Sequence, residues 1–170
     1  WVSQAESTIE GMRFLFHEGE GQKYVVETKV LGEYQIYTLM PAIICGLRMG
    51  MEREQIGLAL ERYSLPPGRM SAIEGIEGST ILDSTYNSSP VALREALKLL
   101  GQIGQNQRKI AVLGNMNELG KKSQELHEMI GKMVPECADL LVTVGNQAAY
   151  IGDMALERGM KVDRVMKFAN

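Results

Sequence analysis

Short apolar runs alternate with amphipathic helical patterns over the second half of the chain, and this alternation constrains the fold more than any other feature. The apolar runs are too short to be helices, and capping residues stand at several ends of the helical patterns. Parallel strands joined by crossover helices produce this order, so we predict an α/β fold with a mainly parallel sheet. The apolar runs are 79–82, 109–113, 140–144 and 162–166, and the helical patterns are 90–100, 123–134 and 147–158.

Local signals place the helix ends in this region. Ser89 and Ser123 suit N-cap positions, and Pro90 suits the first helical turn. Gly159 suits the position that follows the end of a helix. The run 109–113 is apolar without interruption after its lysine, which is typical of a strand that is buried on both faces.

The first 69 residues are organised differently, which predicts a domain boundary near residue 70. Two β-branched or alternating runs predict a hairpin, and two helical runs follow before a Pro-Pro-Gly sequence. Pro41 lies inside the first helical run. An interior proline costs about 3 kcal/mol, so we expect that helix to start near Thr38 or to kink at the proline. The hairpin runs are 9–17 and 23–30, and the helical runs are 34–50 and 53–63.

Composition excludes several functional classes. The net charge of −3 argues against a nucleic-acid binder that relies on bulk positive charge. Cys45 and Cys137 lie far apart, with no histidine or cysteine at ligand spacing, which predicts neither a disulfide framework nor a zinc site and fits a cytoplasmic protein. The longest apolar stretch, 36–47, is too short to span a bilayer, so we expect no membrane association.

No catalytic motif stands out from the residues alone. The segment 114–123 resembles a P-loop, but it has one residue too many between its glycines and a second lysine before the serine. The two histidines, His17 and His127, lie in different halves of the chain and form no recognisable triad. We therefore assign no catalytic residue and no metal ligand.

The segment 81–90, Ile-Leu-Asp-Ser-Thr-Tyr-Asn-Ser-Ser-Pro, is the most informative one. It leaves a predicted strand through Asp83, and ligands of parallel α/β sheets bind at the carboxyl ends of strands. Asp83 suits sugar hydroxyls, while Asn87 and the free amides of the helix start suit a phosphate. The alternative is that both side chains only satisfy backbone groups of a turn.

This segment resembles the Asp-Asp-x-Tyr-Asn-Ala-Asn-Pro signature of Mur ligases, ATP-dependent enzymes that add amino acids to the peptidoglycan precursor. Residues 111–120, Ala-Val-Leu-Gly-Asn-Met-Asn-Glu-Leu-Gly, and His127 resemble the family's Leu-Gly-Asp-Met-x-Glu-Leu-Gly block and the histidine downstream of it. Residues 67–70, Pro-Gly-Arg-Met, resemble the Gly-Arg linker between the central and C-terminal domains. Residues 32–42 lie where the family has a Gly-x-His-Asn-x-x-Asn-x-x-Ala-Ala helix. The four blocks in this order resemble most the branch that adds D-alanyl-D-alanine.

The resemblance implies that residues 1–69 end a central ATPase domain and that 70–170 form most of a Rossmann-like C-terminal domain, which we expect to be incomplete. The intact protein would join D-alanyl-D-alanine to a UDP-N-acetylmuramoyl-tripeptide through an acyl phosphate, with ATP and Mg²⁺. The family's P-loop and metal ligands are expected outside these 170 residues, so the chain alone should be inactive. The resemblance further implies a cytoplasmic monomer that acts on small molecules.

The resemblance also implies a nucleotide site. Arg69 would reach the phosphates, Asp83 would hold the ribose side, and Tyr86 and Asn87 would line the cleft between the domains. A solvated linker arginine is the alternative for Arg69.

Two departures from the family pattern concern predicted binding residues. Tyr34, Gln35 and Thr38 replace the family's His, Asn and Asn; Gln35 could still bond an adenine edge, and Tyr34 could stack on it. Asn115 replaces an aspartate, which removes a carboxylate that could pair with the incoming amine. Asn115 and His127 are predicted to bind substrate, although a structural role for His127 is the stronger alternative.

Two other functions remain open. The chain could belong to another amide ligase of the same superfamily, of the folylpolyglutamate or isoglutaminyl-forming type. It could also be a Rossmann-like module that binds a ligand without turnover, for which the replacements at Tyr34, Gln35 and Thr38 are the best support.

Overall fold

The computed structural model describes residues 1–19, 21–103 and 106–169. Contacts between Cα atoms group the chain into two compact units, 1–83 and 84–170, and each is described by itself.

The first unit contains an antiparallel sheet of three strands, β1 (Val2–Thr8), β2 (Gly11–Glu18) and β3 (Gln22–Thr28), in the order β1-β2-β3. The predicted hairpin is confirmed as β2 and β3. Strand β1 was missed because its polar sequence, Val-Ser-Gln-Ala-Glu-Ser-Thr, has no apolar alternation. Its strand conformation depends on pairing with β2, and pairing is a tertiary property.

Two helices pack on one face of this sheet, α1 (Ile36–Arg48) and α2 (Arg53–Arg62). Helix α1 begins at Ile36 and continues through Pro41, so the expected start near Thr38 is wrong. A capping box between Glu52 and Gln55 opens α2. Apolar side chains of the sheet and helices share a buried core, which includes Phe14, Val26, Leu39, Ile43, Ile56 and Leu60.

A separate antiparallel pair ends the first unit, β4 (Ser71–Glu74) and β5 (Thr80–Asp83). We expected the run 79–82 to join the parallel sheet, and this is wrong because β5 pairs with β4 in a two-stranded sheet. Strand β4 was not predicted. A reversal between them, with Gly78 at φ +73°, brings the two strands together.

The second unit has the predicted alternation and confirms the α/β class. Its three strands are all parallel, in the order β6-β7-β8. The expected helix 123–134 ends earlier and is followed by a short second helix, and residues 162–164 form a 3₁₀ turn before the last strand. The elements are α3 (Pro90–Gln102), β6 (Ile110–Gly114), α4 (Ser123–Gly131), α5 (Val134–Cys137), β7 (Leu140–Val144), α6 (Ala149–Glu157) and β8 (Val165–Phe168).

Three of the four local end signals are confirmed, among them Pro90 in the first turn of α3. Ser89 caps α3, since its Oγ accepts from the Ala92 N–H at 3.3 Å. Gly159 has φ +97° and closes α6 in a Schellman motif, with its own N–H bonded to the Leu156 carbonyl. The N-cap role of Ser123 is wrong, because a 3₁₀ turn over 120–122 runs directly into α4 and its side chain makes no cap.

Strand β6 buries only one of its two faces. Ala111 and Leu113 of β6 point into a core that they share with α4 and α6, among them Ile130 and Ile151. On the other face, Val112 is 66% exposed. The expectation that β6 is buried on both faces is therefore wrong for the described residues. No described helix has both the length and the apolar character needed to cross a membrane.

Candidate functional site

The carboxyl ends of β6 and β7 lie side by side and carry polar loops. The two strands are parallel, and their last residues, Gly114 and Val144, are register partners. Asn115 directly follows β6, and Gly145 directly follows β7. Ligands of parallel α/β sheets bind at this edge, so these loops are the candidate site of the second unit.

Asn115 ties the two loops together through its side-chain oxygen. Oδ1 accepts from the backbone N–H groups of Gln147 and Ala148, at 3.0 and 2.8 Å. These N–H groups precede α6 and have no partner within that helix, so Asn115 caps it from the loop after β6. The amide packs on the backbone of Gly145, which has φ +108°; a Cβ there would lie 2.5 Å from the Asn115 amide atoms. Only glycine fits this position without a shift.

His127 on α4 is fully buried and forms a hydrogen bond to the loop that follows β6. Its Nε2 accepts from the Met116 N–H at 3.0 Å, and its Nδ1 lies 2.7 Å from the Ser123 carbonyl oxygen. A carbonyl can only accept and a backbone N–H can only donate, so Nδ1 carries the proton and Nε2 does not. The neutral ring therefore satisfies both partners.

A further hydrogen bond closes the arrangement. The Ser123 Oγ donates to Gln147 Oε1 at 2.9 Å. Hydrogen bonds thus connect the loop after β6, the start of α4 and the loop after β7. We call the residues that make these bonds the polar circuit: Asn115, Met116, Ser123, His127 and Gln147. Sequence reasoning missed Gln147, which carries no local signal. Gly145 had a usable signal, a glycine directly after a buried strand.

The polar circuit contains both residues that are predicted to bind substrate, but the two differ in how accessible their side chains are to a ligand. The His127 ring has no exposed surface and both of its nitrogens are occupied, so this geometry makes it a positioning residue. Asn115 is half-buried and keeps its Nδ2 donor outside the circuit. A substrate contact by either side chain stays a prediction.

The hairpin of the first unit brings two other predicted residues to one end. Asp83 is the last residue of β5 and pairs with Ser71, the first residue of β4. Arg69 stands two residues before Ser71, so the guanidinium and the carboxylate belong to the same, open end of the hairpin. Gly68 and Met70 flank Arg69 with φ +77° and φ +57°, and the Met70 side chain is buried. The burial of Met70 holds it in this left-handed conformation, which costs some backbone strain and fixes the backbone beside Arg69.

The remaining predicted nucleotide residues lie on separate elements. Tyr86 is exposed, and Asn87 is exposed with its Oδ1 accepting from the Ser88 N–H at 2.9 Å. The Asn87 oxygen therefore satisfies a backbone group of its own loop, as the alternative interpretation of this residue expects. Tyr34, Gln35 and Thr38 lie at the start of α1. The Tyr34 ring packs over Gly32, where a Cβ would lie 2.6 Å from the ring.

Metal and thiol chemistry find little support in the residues described. Among these residues, no three His, Cys, Asp or Glu side chains come together as a metal site. Cys45 is exposed and Cys137 is half-buried, and both are free thiols. Burial, and then the charge of Glu136, raise the pKa of the Cys137 thiol, which makes it less reactive.

Comparison with known proteins identifies the family. A family model described as "Mur ligase, glutamate ligase domain" matches residues 68–170. The chain belongs to the Mur ligase family. The match includes the β4–β5 hairpin and the whole polar circuit. It begins at residue 68, while the contacts divide the chain after residue 83, so a Mur ligase domain boundary at 69/70 stays a prediction.

Curated Mur ligases match most of the chain. The UDP-N-acetylmuramoyl-tripeptide–D-alanyl-D-alanine ligase of Bacillus subtilis is 29% identical over 168 residues, covering 98% of this chain and 35% of the relative. The enzyme of the same name from Mycobacterium tuberculosis is 32% identical over 141 residues, covering 78% of this chain and 27% of the relative. The chain spans about a third of the length of the curated relatives it matches.

Solved Mur ligase structures share the fold. MurF from Acinetobacter baumannii superposes with a TM-score of 0.81 at 26% identity, covering 99% of this chain and 35% of that one. MurF from Thermotoga maritima, solved in complex with ADP, gives 0.76 at 20% identity, covering 99% and 42%. Folylpolyglutamate synthase from the same organism gives 0.66 at 16% identity, covering 99% and 39%, and at that identity the likeness concerns the fold alone.

Proposed function

We propose that the intact protein containing this chain is an ATP-dependent ligase that adds D-alanyl-D-alanine to a UDP-N-acetylmuramoyl-tripeptide in peptidoglycan synthesis. One observation carries the proposal: a ligase of this name matches 98% of the chain at 29% identity, through both units. The sequence block 111–120, which contains Asn115 and Met116 of the polar circuit, also favours this branch of the family. The proposed setting is a cytoplasmic monomer.

The first unit is proposed to contribute to the nucleotide site. ATP supplies the phosphoryl group that activates the acceptor carboxylate. The hairpin end that carries Arg69 and Asp83 fits such a ligand, because a guanidinium pairs with phosphate oxygens and a carboxylate accepts from ribose hydroxyls. We propose that Arg69 contacts the phosphates and Asp83 the ribose, with Tyr34, Gln35 and Thr38 near the adenine. Tyr86 and Asn87, which belong to the second unit, stay predicted nucleotide-binding residues.

The described residues do not fit a Mg²⁺ site, since they contain no group of three suitable side chains. The metal ligands and the P-loop are therefore proposed to belong to other parts of the intact protein. For the same reason, we propose that the 170-residue chain alone has no ligase activity.

The test uses the intact protein. Phosphate release from ATP is measured with the UDP-muramoyl tripeptide and D-alanyl-D-alanine, and with each component omitted. We expect release only when all three are present. Release that does not depend on the dipeptide, or that prefers glutamate over it, would favour another amide ligase of the superfamily. Ligand binding without any turnover would favour the non-catalytic module.

Arg69→Lys tests the proposed nucleotide contact. A lysine keeps the charge but loses the paired donors of the guanidinium, so we expect kcat to fall more than KM for ATP rises. Arg62→Lys is the matched control, because Arg62 is an exposed arginine at the end of α2 in the same unit. If kcat and KM for ATP are unchanged in both variants, Arg69 is a solvated linker residue and does not contact the nucleotide.

A further inference from the structure

One face of the parallel sheet β6-β7-β8 is apolar throughout. We infer that this face is an internal docking surface, which amphipathic helices from a part of the intact protein outside these 170 residues cover. We call it the outer face, as opposed to the inner face that carries Ala111 and Leu113. The inference concerns the assembly of the intact protein and does not depend on the reaction. The outer face consists of Ile110, Val112, Leu140, Val142, Val144, Met166 and Phe168.

The two faces differ in their side chains. Neighbouring residues of a strand point to opposite faces, and register partners share a face. Val112 is the partner of Val142, which is the partner of Met166, so three apolar side chains lie in a row across the outer face. The inner face includes the polar residues Thr143 and Lys167, whereas the outer face has none. A face in contact with water would carry polar side chains, as it does in antiparallel sheets that are solvated on one side.

Most of the outer face is exposed. Val112 has the largest exposed fraction, 66%, and Leu140 and Val142 are less exposed because β7 is the central strand. Soluble monomers rarely expose a contiguous apolar patch that is not an interaction surface, and parallel sheets occur almost only with both faces covered. The outer face therefore requires a cover. Its exposed side chains are Ile110, Val112, Val144, Met166 and Phe168.

The topology explains why the helices of this unit leave the outer face bare. The steps from β6 to β7 and from β7 to β8 run in the same direction across the sheet. Right-handed crossovers that run in one direction place their helices on one face. Leu97 of α3, Ile130 of α4 and Ile151 of α6 accordingly share the core of the inner face. A right-handed crossover reaches the outer face only with a step in the opposite direction, and the described strands of this sheet make none.

Helices of the same polypeptide are the occupant that fits this face. Sheet faces of α/β domains pack against helices, and an amphipathic helix presents the apolar stripe that such a face needs. The chain covers only 35% of the Bacillus subtilis relative, so a polypeptide of that length contains further segments to supply the helices. A second copy of this chain would bring another bare sheet face, and helices are what cover the faces of parallel sheets.

Thiol labelling of the intact protein tests whether the outer face is covered. Val112→Cys places a small thiol on this face, where a packed interface tolerates it. Val25→Cys is the matched control, because Val25 is an exposed strand valine on the antiparallel sheet, and its face carries the exposed Arg13–Glu27 ion pair. We expect iodoacetamide to modify the thiol of Val112→Cys at least about tenfold more slowly in the native protein, and both thiols at equal rates in urea.

Photocross-linking tests which part of the protein provides the cover. Val112 is replaced by the photoreactive amino acid p-benzoylphenylalanine, and isotope-labelled and unlabelled intact protein are mixed in equal amounts. We expect the cross-linked peptides to come from outside the 170 residues of this chain and to join only peptides of the same isotope content. Mass spectrometry of the digested protein identifies both partners of each cross-link.

Three results would overturn the inference. Equal labelling rates of the two thiols in the native protein would show that water covers the outer face. Pairs of mixed isotope content would identify a second copy as the occupant. Cross-links confined to this chain would show that the cover comes from within it. Turnover enters neither measurement, so an inactive intact protein would count only against the proposed function.

Discussion

Replacing His127 by phenylalanine tests the polar circuit at its buried member. Phenylalanine replaces the imidazole by a somewhat larger ring and offers no acceptor to the Met116 N–H, which in wild type donates to His127 Nε2 at 3.0 Å. Met116 is only 1% exposed, so its N–H cannot turn to water instead. A buried donor without a partner costs about 1–3 kcal/mol, and we expect the free energy of unfolding of the second unit to fall by that amount.

The assay combines urea denaturation with hydrogen exchange at the Met116 amide. A loss of about 1–3 kcal/mol corresponds to roughly five- to 150-fold faster exchange where the amide opens with the unit. His127→Gln is the control, since its Oε1 can take the position of Nε2 and accept from Met116. We expect this variant to lose less stability than His127→Phe and to keep a slower exchange at Met116.

A His127→Phe variant that unfolds at the wild-type urea concentration and keeps its Met116 amide protected would refute this role of His127. Equal losses in the two variants would also count against it, because the stability would then depend on the ring and not on the acceptor atom.

Three further predictions concern other described residues. Gly145→Ala should destabilise the second unit by more than about 1 kcal/mol, and by more than Gly159→Ala, because both glycines have positive φ but only a Cβ at Gly145 would meet another side chain. Cys45 should react with iodoacetamide before Cys137 at neutral pH, as followed by peptide mass spectrometry, since Cys45 is exposed and burial raises the pKa of Cys137. Burial acts to raise the pKa of Glu95, but hydrogen bonds from two neighbouring cations outweigh it and hold the pKa below its ordinary value of 4.5. Glu95→Gln should therefore lower stability above that pH, and the difference from wild type in urea denaturation should vanish as the pH falls through the lowered pKa.

The sequence by itself determined the elements whose signals are local. The alternation of apolar runs and helical patterns placed β6, β7, α3 and α6 within a few residues. Ser89 and Gly159 marked helix ends correctly because a cap is a bond between residues a few positions apart. The family blocks at 81–90 and 111–120 lie within the matched region, and the block at 67–70 overlaps its start.

Only the tertiary structure decided which strand pairs with which. The run 79–82 has too few apolar residues to distinguish a strand of the parallel sheet from one arm of a hairpin, and its partner β4 decided the matter. The same holds for β1, whose polar residues become a strand only beside β2. Strand pairing joins residues that are distant in the chain, and local propensity contains no information about them.

The candidate site depended most on tertiary structure. Sequence named Asn115 and His127 but not their partners, because the bonds of Asn115 to Gln147 and Ala148 span 32 and 33 residues. The burial of His127 and its bond to the Met116 N–H decide that its ring holds the loop after β6. The two N–H donors decide which atom of Asn115 faces outward. A sequence specifies the chemical groups at a site, but the hydrogen bonds between distant segments determine which of their atoms remain available to a ligand.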